Sequence, residues 1–158
     1  MNAAAPNASG TLQHWLSFRL DGQLYAAPLA QVSEVIRVGE LTPGPGAMAD
    51  LLGVRHLRGH LVPVMDGRRR LGLPAAATDP QAQARVVVLT HGTHWVGLRV
   101  DAVGELVLPA ADAIAAPPPD RAVRDNDPVD GVLAWQGGFV ALLDVRRLCR
   151  LPALDAAG

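Results

Sequence analysis

The chain has 158 residues, 49% apolar and 18% charged, with a net charge of −1. That is ample material for a core and argues against disorder, and the near-neutral charge offers no basic surface to nucleic acid. All 14 cationic side chains are arginine, which excludes Schiff-base and phosphate-loop lysine chemistry. The single cysteine, Cys149, forms no intrachain disulfide and suits a reducing compartment; within the apolar run RLCRL it reads as a buried, inert thiol. No uncharged apolar run reaches the roughly 18 residues of a membrane span. The first residues carry neither the cationic nor the apolar region of a signal peptide.

In chain order, residues 1–13 read as a flexible tail. Trp15, Leu16, Phe18 and Leu20 lead into the turn signal Asp21-Gly22, and Leu24–Leu29 returns as a strand. Apolar positions 32, 35, 36 and 38 predict a short helix or turn over Gln31–Val38. Leu41–Met48 holds Pro43, Gly44, Pro45 and Gly46 and is irregular, and Met48–Val54 is expected to form one helical turn. Leu57–Met65 gives two strand pieces around Gly59-His60. Asp66 is a suitable N-cap for a helical turn over Arg68–Leu71, ended by Gly72 and Pro74. Ala75–Ala84 reads as a linker. Arg85–Leu89 and Trp95–Val100 form a hairpin across His91-Gly92-Thr93, followed by Ala102–Leu108. Ala115–Asp130, with Pro117–Pro119 and a run of charges, is expected to be a long surface loop. Val132–Ala134, Phe139–Leu143 and a turn at Asp144 complete the pattern, and residues 153–158 form a second tail.

This order repeats. Gly53–Pro74 and Gly131–Pro152 align without a gap at an offset of 78 residues, with nine of 22 positions identical, among them Gly53/Gly131, Asp66/Asp144, Arg68/Arg146 and Arg69/Arg147. A weaker echo lies upstream. Gly22 matches Gly92 and Tyr25 matches Trp95 at offset 70, whereas Val32/Val103 and Glu34/Glu105 match at offset 71, which calls for a one-residue insertion. Two copies of one supersecondary unit imply a pseudo-twofold, all-β fold of two small barrels.

No catalytic set assembles. The three serines, Ser9, Ser17 and Ser33, lie in no nucleophile elbow. His56 and His60 are interrupted by Gly59 on a strand pattern, and His91 and His94 flank a turn without a third ligand, so no metal site is expected. Asp66 and Asp144 each precede Arg-Arg at a turn, which favours capping over acid–base work. The chain is read as a non-enzyme without catalytic residues, metal or cofactor.

The run GVRHLRGHLVPVMDGRRRLG resembles the central signature of the CheW family, G-V-x-N-L-R-G-x-x-V-P-V-x-D-L-R-x-x-L-G. YAAPLAQVSEVIRVGELTPGPG and VGLRVDAVGEL resemble the segments that flank it, in order, from about Trp15 to Leu151. The resemblance implies a CheW-like domain over residues 14–152, made of two intertwined SH3-like five-stranded barrels with short helical turns. It implies a cytoplasmic adaptor at membrane-associated receptor arrays, coupling the signalling tip of chemoreceptors (methyl-accepting chemotaxis proteins) to the regulatory domain of a CheA-type histidine kinase. It implies no nucleic-acid partner and no direct membrane insertion. Its receptor groove falls on Val32, Glu34, Arg58, Val86 and Leu106. Glu34 and Arg58 would meet polar groups of the receptor or pair with each other; plain core packing is the alternative for the apolar three. The chain departs from the family pattern at His56 (usually Asn), Gly67 (usually Leu) and Pro117–Asp120, which bears on partner choice. Rival readings are an adaptor of a pilus-motility or other non-flagellar chemosensory system, a competing CheW-like protein that does not activate the kinase, and a small-molecule-binding β-barrel.

Overall fold

The computed structural model describes residues 13–43, 50–74, 83–117 and 127–149. The first copy of the repeat supplies β1 (Trp15–Leu20), β2 (Gln23–Pro28), β3 (Val32–Arg37), β4 (Leu51–Leu57), β5 (His60–Asp66) and a helical turn α1 (Gly67–Arg70). The second supplies β6 (Arg85–His91), β7 (His94–Val100), β8 (Ala102–Val107), the short β9 (Ile114–Ala115), β10 (Val129–Trp135), β11 (Gly138–Leu143) and α2 (Val145–Leu148). One sheet runs β8-β1-β2-β11-β10-β9, the other β3-β6-β7-β5-β4.

Neither copy builds a sheet alone. The β1–β2 hairpin of the first copy pairs with β8 and, in parallel, with β11 of the second. The β6–β7 hairpin of the second pairs with β3 and, in parallel, with β5 of the first. The copies thus exchange their leading hairpins, so both sheets depend on the whole chain.

Within the final hairpins the pairing is the same residue for residue. Leu51 faces Met65, a bulge follows, Gly53 faces Val64 and Leu57 faces His60. Val129 faces Leu143, a bulge follows, Gly131 faces Leu142 and Trp135 faces Gly138. The shared glycine has a steric cause. A Cβ on Gly53 would lie 2.9 Å from the Thr42 carbonyl oxygen, and one on Gly131 would lie 3.2 Å from that of Ala115. At these places an edge segment crosses, as the Thr42–Val54 bridge in one sheet and as β9 in the other. This crossing makes β9 a sixth strand where five were expected.

The leading hairpins correct the expected alignment. Leu20 faces Gln23 across Asp21-Gly22, and His91 faces His94 across Gly92-Thr93. Equivalent residues are therefore 71 apart throughout, Gly22 corresponds to Thr93 and Tyr25 to Val96, and no insertion is needed. A two-residue loop accepts glycine at either position, so the turn leaves the register open. The buried face decides it: Tyr25 and Val96 are each 2% exposed, whereas Trp95 is half-buried.

Two expected helical segments are strands. Gln31–Val38 passes from a 3-10 turn at Leu29–Gln31 into β3, whose residues alternate between half-buried and exposed against β6. Of Met48–Val54, positions 51–54 open β4; residues 44–49 lie outside the described residues. The expected loop after Ala115 gives way to β10 at Val129, while 118–126 lie outside the described residues, as do most of the expected linker and both tails. The capping expectation holds. Asp66 accepts from the Arg68 backbone N–H at 3.1 Å, and Asp144 accepts from that of Arg146 at 2.9 Å.

Each sheet buries two faces. Phe18, Leu20, Tyr25, Leu89, Leu98, Met65 and Leu143 meet in one cluster drawn from both sheets, which α2 closes with Val145 and Leu148. The opposite faces fill separate interiors: Val62, Val64, Val86 and Val88 in one sheet, and Ala26, Val140 and Leu142 in the other. Each fully buried Leu or Val contributes on the order of 1.5–3 kcal/mol. Arg70, 1% exposed, lies where the copies meet. Its guanidinium donates to the Leu148 carbonyl at 3.0 Å and the Arg147 carbonyl at 2.6 Å, at the C-terminal end of α2. Leu148 is the residue equivalent to Arg70 in the repeat, so the arginine holds its own counterpart.

Candidate partner-binding surface

In the five-stranded sheet β3 and β4 are the opposite edges, and arginines join them. Arg55 on β4 donates to the carbonyls of Arg37, the last residue of β3, and Val38, the next, at 2.7 and 2.8 Å. Arg58, in the β4–β5 turn with φ 52°, reaches Glu34 Oε1 on β3 at 3.2 Å. These bonds bridge the two edges of the sheet. The left-handed backbone at Arg58, uncommon outside glycine, aims the side chain across the opening.

The second copy repeats the device without the charge. Gln136, with φ 50° in the β10–β11 turn, donates to Glu105 on β8 at 3.0 Å. Gln136 is equivalent to Arg58, and Glu105 to Glu34. The bond between sequence-matched positions was legible only once the two offsets, 78 and 71, were combined.

The five residues assigned by family resemblance separate. Glu34 and Arg58 form an ion pair, with Arg58 71% and Glu34 20% exposed. No donor among the described residues reaches Glu34 Oε2, which is buried. Val32 opens β3 beside Glu34 and packs against the shared core. Val86 is 1% exposed inside the barrel, where its side chain packs and meets no solvent. Leu106 lies on β8 in the other sheet, 48% exposed. Its equivalent, Val35 on β3, is also exposed.

Two depressions lie at equivalent places. One, about 410 Å³, is bounded by β5, the β6–β7 hairpin and α2, with His60, Leu61, His94, Trp95 and Arg146 in its wall. The other, about 520 Å³, is bounded by β2, β10 and β11, with Asp21, Gln23, Tyr25 and Phe139. Beside the second, Arg68 makes a forked pair with Asp101 at 2.7–3.2 Å and reaches Asp21 at 3.5 Å. Asp101 also accepts from the Asp21 backbone N–H at 2.8 Å. Burial pushes the Asp101 carboxyl up, but the hydrogen bonds from Arg68 and Asp21 and the charges of Arg68 and Arg99 outweigh it, leaving the carboxyl below its ordinary range. Cys149, free and half-buried, lines the first depression. Burial pushes its thiol up to about 12, so it stays protonated at neutral pH. Among the described residues no group of three His, Cys, Asp or Glu side chains is placed to hold a metal ion, and no helix is long and apolar enough to cross a membrane.

The profile of the CheW-like domain matches residues 14–153. The chain is 32% identical over 146 residues to "Chemotaxis protein CheW" of Rhizobium meliloti (strain 1021), covering 92% of each. It is 34% identical over 108 residues to "Protein FrzA" of Myxococcus xanthus, covering 68% of this chain and 65% of that one. Its identity to "Protein PilI" of Pseudomonas aeruginosa is 34% over 103 residues, covering 64% and 57%. Among solved structures, scaffolding protein TtCheW from Thermoanaerobacter tengcongensis superposes with a TM-score of 0.79 at 23% identity, covering 89% of this chain and 94% of that one. The fold is therefore the expected pair of SH3-like barrels.

Proposed function

The chain belongs to the CheW-like family of chemotaxis adaptors, and from that premise we propose that it joins a chemoreceptor signalling tip to the regulatory domain of a CheA-type histidine kinase in a cytoplasmic array. The reading for the receptor rests on one observation. Glu34 and Arg58 form a surface ion pair in which Glu34 Oε2 is buried without a donor among the described residues. A buried carboxylate oxygen left unpaired is costly, and a polar group on an incoming receptor helix would satisfy it. Val32 and exposed Val35 flank Glu34 along β3, registered with Leu89 and Val87 on the sheet face opposite the one Glu34 shares with Val88, and give this edge an apolar side. Such a surface suits a helix whose apolar anchors recur at one-turn spacing. Val86 packs inside the barrel beneath Glu34, and Leu106 is exposed on β8 of the other sheet.

Arg58→Ala and Glu34→Ala are titrated separately with a receptor signalling fragment and with the kinase regulatory domain. Losing one partner of a charge pair that becomes desolvated at an interface costs about 2–5 kcal/mol of affinity. Because Arg58 is largely exposed in the free protein, its loss should change stability by less than about 1 kcal/mol. Weaker receptor binding with unchanged kinase binding supports the reading. Unchanged binding to both partners removes the pair from it.

A second reading, an adaptor of a pilus-motility or other non-flagellar chemosensory system, uses the same surfaces. It is favoured by relatives of comparable identity that are not named CheW. Capture with receptor and kinase pairs from each kind of system separates the two.

A further inference from the structure

The two helical turns place an arginine at the same point, and among the described residues only the first arginine's side chain meets carboxylates. Arg68 follows the cap Asp66 and is held by Asp101 and Asp21. Arg146 follows the cap Asp144 in the same way. At the 71-residue offset the residues equivalent to Asp21 and Asp101 are Gly92 and Ala30, which carry no charge. Among the described residues the Arg146 side chain makes no ion pair or hydrogen bond; it is exposed and lines the depression of about 410 Å³ beside β5 and the β6–β7 hairpin.

The rest of that wall matches an anion joined to an apolar group. None of the described residues lining it is acidic. His60, His91 and His94 converge there, and histidine carries no negative charge in either protonation state. The His60 ring stacks on Trp95, with centroids 4.7 Å apart and planes 15° from parallel, giving an aromatic shelf. Leu61, 63% exposed, and Pro63 complete an apolar floor. A cavity of this size and composition falls in the range of ligand sites, which run from about 300 to 1,000 Å³.

We propose that this depression is a second docking site, one that takes an acidic peptide segment of a partner protein: a Glu or Asp carboxylate on Arg146, with a neighbouring bulky apolar side chain against Trp95 and Leu61. The paired arginine of the first copy shows the chemistry. There a protein carboxylate forks onto the guanidinium; here no described residue supplies one, and the proposed peptide brings it. The site is distinct from the Glu34–Arg58 surface and does not depend on the identity of the receptor or kinase.

The test is an NMR titration of the full ¹⁵N-labelled chain with two capped peptides, Ac-Gly-Glu-Phe-Gly-NH₂ and its Gln counterpart. The Glu peptide should shift the Trp95 indole, the Thr93 amide and the Arg146 side-chain resonances saturably. The Gln peptide should bind about tenfold more weakly or worse, since a charge-assisted fork is lost. Arg146→Gln should weaken the Glu peptide by a similar factor, while Arg58→Ala leaves it unchanged; this last arm separates the site from the receptor surface. Equal binding of the two peptides, full affinity in Arg146→Gln, or absence of a saturable shift at Trp95 would each overturn the proposal.

Discussion

Arg70 and Leu148 occupy the same position in the two copies, yet one is a buried cation and the other a buried hydrocarbon. The same contrast separates Arg68, forked onto Asp101, from Arg146, which has no partner among the described residues. Backbone devices, by contrast, are shared: the capping aspartates, the bulge before Gly53 and Gly131, and the left-handed turn residues Arg58 and Gln136. The copies need the same backbone because both make the same strand–turn–strand–cap path. They cannot carry the same charges where they meet. A second arginine at position 148 would set two cations against each other in a low-dielectric interior, and the carbonyls that Arg70 now holds belong to the opposing turn. Asymmetric chemistry on a symmetric frame gives the two faces of the molecule different surfaces.

The largest expected effect tests the central contact. Arg70→Ala removes the donors from two carbonyls at the end of α2 and leaves a void at the junction, and should cost roughly 3–5 kcal/mol in urea unfolding. A loss below about 1 kcal/mol, the size of a surface change, would break the idea that the arginine joins the copies.

Next comes Gly67, equivalent to the buried Val145. The resembled family pattern has leucine at this position, and glycine by propensity alone loosens the start of a helical turn. The packing shows a stricter cause: a Cβ on Gly67 would lie 2.5 Å from the Arg99 carbonyl oxygen and 2.9 Å from Leu20 Cδ2. Alanine should therefore destabilise by about 1–3 kcal/mol through overpacking, against the roughly 1 kcal/mol that helix propensity would return. A stabilised Gly67→Ala, seen as a raised melting temperature, would show that the two copies pack alike at this point.

The smallest effect sharpens the contrast between Arg68 and Arg146. The Asp101 carboxyl titrates below its ordinary range, so its stabilisation is full above the unfolded value and is lost as pH falls through the folded value. Asp101→Asn should cost about 1–2 kcal/mol at neutral pH, and the difference from the unmodified chain should shrink as the pH drops below about 4. Denaturant midpoints of both proteins between neutral and acid pH measure it. Arg146→Gln, with no carboxylate among the described residues to lose, should leave stability within about 0.5 kcal/mol.

Much of the frame was written locally. The repeat, the two capping aspartates and most of the turns follow from signals spanning a few residues, because a cap or a two-residue loop is satisfied by its own neighbourhood. From these the sequence by itself determined the all-β class, the duplication and the resemblance to a family. Only the tertiary structure decided the exchange of hairpins, the 71-residue register of the leading strands and the strand form of Val32–Arg37, because each depends on which distant strand completes the sheet. It also decided the fate of the charges. Arg58, Arg68, Arg70 and Arg146 look alike in the chain. One became a bridge across a barrel, one the partner of an aspartate, one a buried link between the copies and one an exposed cation, without a partner among the described residues, beside an aromatic shelf. Long-range packing chose which carbonyls and carboxylates each would meet.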